Sequence, residues 1–172
     1  MIPNIEIILP PSYDDYVRAV EGEQLIPALE KSTRQIRKLL KRIPHKKVDY
    51  AYAEGKWTIR EVLQHLIDAE RIFVTRALWF ARKSPSPLPG FDENMWAVTS
   101  NASRRKWKDL REEFLTLRAS TEKFFRSLDE EQLSATGTAN EKQLNVYGLG
   151  IVCSGHVLHH ARVIKERYLS KK

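Results

Sequence analysis

The chain has one cysteine, seven glycines and eight prolines in 172 residues, and no run of apolar residues long enough to span a bilayer. Each scarcity removes a class of protein. A single Cys cannot form an internal disulfide, so this is no disulfide-stapled scaffold, and the lone thiol fits a reducing compartment. Crossing a membrane takes about 20 consecutive apolar residues, and Met1-Ile2-Pro3-Asn4-Ile5-Glu6 lacks the basic start and apolar core of a secretory signal. The expectation is a soluble, cytoplasmic protein with no membrane partner. Gly and Pro are also clustered, which suits a few long helices better than many short strands. At this length a chain buries roughly two-thirds of its unfolded surface, so residues 1–172 are expected to form one domain, with 1–20 as an irregular N-terminal extension.

Acidic residues are absent from one segment. Lys31, Arg34, Arg37, Lys38, Lys41, Arg42, Lys46 and Lys47 fall between residues 31 and 47 with no Asp or Glu among them. Setting those eight aside from the 29 Lys and Arg leaves 21 cations against 22 Asp and Glu, so the formal charge of +7 is local to one element. It reads as the solvated face of a helix or as a patch for nucleic acid or an acidic partner. No helix-turn-helix, zinc finger or other recognised module accompanies the charge, so nucleic acid is not the expected partner.

Apolar periodicity marks four helices. Leu25, Leu29, Ile36, Leu40 and Ile43 recur at three-to-four-residue spacing until Pro44, predicting helix one over 21–43. Thr58-Ile59-Arg60-Glu61 is a capping box that opens helix two, whose core side carries Val62, Leu66, Ala69, Phe73, Ala77 and Phe80 or Ala81. Ser84-Pro85-Ser86-Pro87-Leu88-Pro89-Gly90 then forbids helix and begins a long crossover. A cap around Asn101-Ala102-Ser103 is expected to open helix three, with Trp107, Leu110, Phe114, Leu117, Thr121, Phe124 and Leu128 as its stripe. A short helical turn is expected at 129–133, a polar stretch with Gly137 after it, and helix four over 147–169. The fold class is therefore all-α, a four-helix bundle, and the two long loops permit a topology other than a simple meander.

The inward stripe of helix four is Leu149, Val152, His156, His160 and Val163, an apolar seam interrupted by two imidazoles. Positions four apart differ by about 40° around a helix, so His156 and His160 can present nitrogens to one point, as in helical His-x-x-x-His metal sites. His65, between the core residues Val62 and Leu66 of helix two, is the candidate third member. Three neutral imidazoles with an open position describe a catalytic divalent-metal site. Taken singly, each His is as simply a satisfied polar group at the core edge. His159 points about 100° away from His160 and falls at best behind the ligands, and His45 lies in a basic surface loop. Cys153 reads as a small core residue. Asp68, one turn past His65, could orient a ring N–H or act as a base, or could pair with Arg71 or Arg76. Trp57, Phe91, Trp96 and Tyr147 are candidates for a pocket mouth or for caps on the core.

Three blocks carry a family resemblance: 55–70 with Gly55-Lys56-Trp57-Thr58 leading to His65, the acidic-aromatic loop Leu88-Pro89-Gly90-Phe91-Asp92-Glu93-Asn94-Met95-Trp96, and His156-Val157-Leu158-His159-His160-Ala161-Arg162. The chain resembles the DinB/YfiT-like superfamily of bacterial four-helix metal proteins over most of its length. That resemblance implies an up-down-down-up bundle, usually a homodimer, with a divalent metal, often nickel or zinc, held by His65, His156 and His160. Members are described as metal-dependent hydrolases, and some look like transferases or isomerases that use low-molecular-weight thiols such as bacillithiol or mycothiol. The implied function is a metal-dependent enzyme, a thiol S-transferase or a hydrolase acting on a small-molecule substrate, with a non-catalytic binding module built on the basic face as the alternative. Gly155 stands where some relatives carry a bulky residue, a departure that bears on pocket shape.

Overall fold

The computed structural model describes residues 5–170, so the opening Met1–Asn4 of the sequence reading lies outside it. In chain order it forms α1 (Asp14–Arg18), α2 (Leu25–Arg42), α3 (Ile59–Ala81), α4 (Glu93–Thr99), α5 (Trp107–Arg126), α6 (Glu130–Ser134), strands β1 (Thr136–Ala139) and β2 (Lys142–Asn145), and α7 (Val146–Val163), which continues as a π-helical turn over Ile164–Leu169. The four long helices α2, α3, α5 and α7 form the bundle. Among the described residues no helix is long and apolar enough to cross a membrane.

Both α2 and α3 pack against α5 and α7, which places α2 diagonal to α3 and α5 diagonal to α7. Two apolar clusters fix the helix directions. One joins the start of α2 (Leu25, Leu29), the end of α3 (Phe73, Phe80), the end of α5 (Phe125) and the start of α7 (Leu149, Val152). The other joins the end of α2 (Ile36, Leu40), the start of α3 (Leu63, Leu66), the start of α5 (Leu110, Phe114) and the end of α7 (Val157, Ala161). The helices therefore run up, down, down, up. Each fully buried Leu, Ile or Phe in these clusters contributes about 1.5–3 kcal/mol of transfer free energy.

A polar layer separates the clusters. Arg118 of α5 is 0% exposed, and all five of its N–H donors are used. Nε donates to Thr33 Oγ1 at 2.9 Å, Nη1 to Glu70 Oε2 at 2.9 Å and the Cys153 carbonyl at 3.1 Å, and Nη2 to the Leu29 carbonyl at 2.9 Å and Ser32 Oγ at 2.8 Å. Thr121 donates to the second Glu70 oxygen at 2.6 Å. One guanidinium thus ties the four long helices together, and the burial of charge is tolerable because every donor has an acceptor.

Several local elements differ from expectation. The start is not wholly irregular: a 3-10 turn at Pro11–Tyr13 leads into α1, and residues before it are tied to Asn145, which accepts from Ile8 N at 3.1 Å and donates to the Glu6 carbonyl at 2.7 Å. Helix three begins at Trp107 rather than at Asn101. There Asn101 takes a left-handed φ of 52°, Ala102 is buried in a 3-10 turn, and Arg105-Lys106 are extended before the helix starts. In α5, Arg118 and Phe125 are buried while Leu117 and Phe124 are only half-buried, as is Leu128, which lies just beyond the helix. The polar stretch around Gly137 is a β-hairpin whose turn residues, Asn140 and Glu141, both have positive φ, as a two-residue type I′ turn demands. A Cβ at Gly137 would stand within 2.7 Å of the Phe80 ring, so only glycine lets the strand lie on it. The crossover holds the short helix α4, capped by Asp92, and is stitched to the hairpin by Leu88 N to the Thr138 carbonyl at 2.9 Å.

Candidate metal centre

The three imidazoles come from two elements whose local structure is set by caps. Thr58 and Glu61 form the expected capping box, Thr58 Oγ1 accepting from Glu61 N at 3.2 Å and Glu61 Oε2 accepting from Thr58 N at 2.7 Å. That arrangement, worth about 1 kcal/mol, starts α3 in the register that turns His65 toward α7. At the other element Asn145 caps α7 through Gly148 N at 2.9 Å. Apart from the half-buried Tyr147, every residue in the first three turns of α7 is buried, so His156 enters the bundle interior and His160, one turn on, sits at its edge.

His65, His156 and His160 meet there. His156 Nε2 lies 3.0 Å from His65 Nε2 and 3.1 Å from His160 Nε2, and the three nitrogens all fall within 4.8 Å of one another. The ring planes are steeply inclined, 67° to 90° between pairs. Burial pushes His65 down to about 4 and His160 to about 3, and holds His156 well below the usual histidine range, so the rings are neutral near pH 7. A neutral imidazole has one in-plane lone pair on its unprotonated nitrogen. The single lone pair of His156 Nε2 cannot accept well from two other Nε2–H groups at once. A cation on which three lone pairs converge removes that conflict, so the donor set fits a divalent transition metal. Such a set would carry its protons on Nδ1, and His160 Nδ1 is buried without a hydrogen-bond partner among the described residues.

Asp68 does not reach the imidazoles. Its Oδ1 accepts from Gln64 Nε2 at 2.9 Å and lies 4.0 Å from Arg71, and the other charges that act on it are Glu113 and Arg105, which places it on the α5 side of α3. Neither of its roles at His65 is realised in this arrangement. Glu70 is spent on Arg118, and Cys153 is buried with its thiol pushed up by loss of solvent. His159 is half-buried, its ring 5.1 Å from that of His160, and His45 is exposed.

A cavity of about 290 Å³ opens beside the triad. Trp57 forms one wall, its ring 4.8 Å from that of His65, and Tyr52, Tyr168, Val62 and Val163 make the rest of its aromatic and apolar lining. Lys56, Asn94 and His159 bring polar groups to it. The π-helical turn after α7 rotates Tyr168 into place, where its hydroxyl donates to the Trp57 carbonyl at 2.6 Å. Of the aromatic residues proposed for a mouth, only Trp57 lines this cavity. Phe91 and Trp96 meet each other with tilted rings, 4.9 Å between centroids, and Tyr147 packs on the core at the far end. Sequence reasoning missed Tyr52, Tyr168, Lys56 and Asn94, and also Tyr16, whose ring meets those of His156 and His159 edge-on at 5.2 and 5.5 Å. For Tyr16 a signal existed in the small residue beside the first helix-four histidine.

The family model of the DinB superfamily matches residues 28–164. The chain belongs to the DinB superfamily. Among solved structures it is similar to YfiT from Bacillus subtilis, described as a probable metal-dependent hydrolase with an unusual four-helix bundle topology, at a TM-score of 0.72 and 17% identity over 95% of this chain and 90% of that one. At that identity the likeness is one of fold. Two relatives, from Geobacillus thermodenitrificans and Bacillus cereus, carry the name "Putative metal-dependent hydrolase". They are 26% identical over 85 residues and 28% identical over 86 residues, which is 49% and 48% of this chain. The chain spans about half the length of the curated relatives it matches. This DinB-superfamily chain thus shares its fold with YfiT and aligns with proteins named for metal-dependent hydrolysis.

Proposed function

We propose that this chain is a metal-dependent hydrolase of small molecules, with His65, His156 and His160 holding a divalent cation such as zinc or nickel. The observation that carries the reading is the convergence of three neutral Nε2 atoms beside an accessible cavity. A cation held by these three imidazoles would supply Lewis acidity and would acidify water toward neutral pH. The protein supplies the rest. Trp57, Val62 and Val163 exclude bulk water from one side of the triad, which strengthens electrostatic interactions in the cavity. Tyr168 holds the Trp57 backbone, and so the wall against His65, in position. Lys56 and Asn94 offer a cation and an amide to a polar part of the substrate, while the aromatic lining favours an apolar part.

The test is elemental analysis of protein purified without a metal-affinity tag, followed by assays of ester and amide hydrolysis and of thiol conjugation to an electrophile. We expect about one equivalent of metal, falling below about 0.2 in His156→Ala, and hydrolysis that is lost with it. Metal-dependent conjugation of a low-molecular-weight thiol without hydrolysis would reassign the site to thiol transfer. Metal content below about 0.2 equivalents, unchanged by His156→Ala, would overturn both.

A further inference from the structure

A second cavity, of about 450 Å³, lies away from the imidazoles, where the loop before α5 meets the α2–α3 connection. Its base is built from two arginines whose charges are already answered. Arg60, 7% exposed, binds Asp49 through Nε at 2.6 Å and Nη2 at 2.9 Å, and its Nη1 donates to the Arg105 carbonyl. Arg105 in turn donates to Gln64 Oε1 at 2.8 Å and to Glu113. Trp107 and Ala102, both buried, anchor the loop on either side. The segment 102–107 is therefore held in one shape before any ligand arrives.

Four further cations line this rigid cavity: Arg104, Lys106, Lys108 and Arg111. None has a carboxylate within ion-pairing distance among the described residues. Their mutual repulsion raises the free energy of the empty cavity and is relieved when an anion enters. The sequence conceals this cluster. Residues 104–111 hold five cations and one Asp, but the rest of the chain outside 31–47 offsets them, and only the fold sets them around a common concavity with His45 and Ser103.

We propose that this cavity binds a phosphate-bearing small molecule through Arg104, Lys106, Lys108 and Arg111. Four uncompensated charges match a multiply charged anion better than a single carboxylate, and guanidinium forks match phosphate oxygens in pairs. The cavity is larger than a phosphate group, which leaves room for an organic moiety. The cations converge on a concavity, and none of the α2 cations lines it, whereas a nucleic-acid backbone is tracked by a continuous positive groove. The site stands independently of the imidazole centre.

The experiment is titration of the ¹⁵N-labelled, metal-loaded protein with inorganic pyrophosphate in magnesium-free buffer, read residue by residue from amide shifts. Saturable shifts centred on residues 103–111 are expected, with affinity weakened about tenfold or more in R104A/K106A, each lost contact being a charge-assisted hydrogen bond. R37A/K38A removes the same charge from the exposed face of α2 and is expected to change affinity less than about twofold, as a screened long-range effect. Unchanged melting temperatures establish that both variants fold. Absence of saturable shifts, or equal weakening by the two variants, would overturn the proposal in favour of general attraction to a positive surface. Shifts confined to residues around His65 and His160 would overturn it by placing the anion at the triad. A DNA duplex that binds more tightly than pyrophosphate, with shifts running along α2, would overturn it in favour of nucleic acid.

Discussion

Gly155 of α7 lies directly against the backbone of Tyr16: a Cβ at position 155 would fall 2.7 Å from the Tyr16 Cα and nearer still to its carbonyl. The missing side chain is what lets α1 lie on α7 and set the Tyr16 ring edge-on to His156. Because the obstacle is backbone, no rotamer change relieves it. Gly155→Ala is therefore expected to lift α1 from α7 and destabilise the fold by about 1–3 kcal/mol, as overpacking does. Thermal melting checks the stability, and amide shifts of residues 13–18 check the displacement. A variant as stable as the parent with α1 unmoved would contradict this account.

Removal of metal gives a second expectation. A ligand that binds only the folded state adds about 2.7 kcal/mol when its free concentration is 100 times its dissociation constant. Zinc should raise the melting temperature of the parent, and a chelator should reverse the gain. His160→Ala should show neither response, since it leaves two of the three nitrogens.

The metal-free protein should lose stability on acidification before its carboxylates titrate. His65 at about 4 and His160 at about 3 lie below the ordinary histidine value of about 6.5, so between these limits the unfolded chain binds more protons than the folded one. Their contribution is complete above pH 6.5 and declines as pH falls toward 4 and 3. Each ring accounts for about 2 kcal/mol by pH 5. Melting temperatures measured from pH 7.5 to 4.5 should fall, and His65→Asn should flatten the slope.

Arg118 and Glu70 make a fourth case. Arg118→Met leaves the Glu70 carboxylate buried with only Thr121 as partner, which is expected to cost about 3–5 kcal/mol. Adding Glu70→Gln should recover part of that loss, because no buried charge remains. Urea denaturation of the two variants measures both numbers. If the double variant is no more stable than the single one, the cost does not lie in the orphaned charge.

Much of this molecule is legible in its residues, for reasons that differ by element. Helices α2 and α3 show their apolar period because one face of each is packed by carbon, α7 shows a near-continuous run of small and apolar residues because it is enclosed on nearly every side, and the Thr58–Glu61 box announces α3 since its signal is local. The three imidazoles stand out for the opposite reason: they are polar groups on inward stripes. What escapes is whatever depends on distant partners. Arg118 reads as a surface cation until Thr33, Glu70 and the Cys153 carbonyl close round it. The hairpin at 136–145 lacks the Asn-Gly turn that would announce it, and α5 starts six residues later than expected from Asn101 because Ala102 is buried first. Asp68 faces α5, and no spacing rule distinguishes that side from the α7 side.

The Arg118 layer also acts as an axial index for the bundle. Smooth apolar surfaces tolerate sliding, and a helix that slips by one turn moves about 5.4 Å. Such a slip of α7 would carry the Cys153 carbonyl away from Arg118 and bring His160 to the height of His156. With five directed donors, the guanidinium admits one vertical alignment of the four helices. The height at which His65 faces α7 is thus set one turn away, by a residue that touches none of the imidazoles.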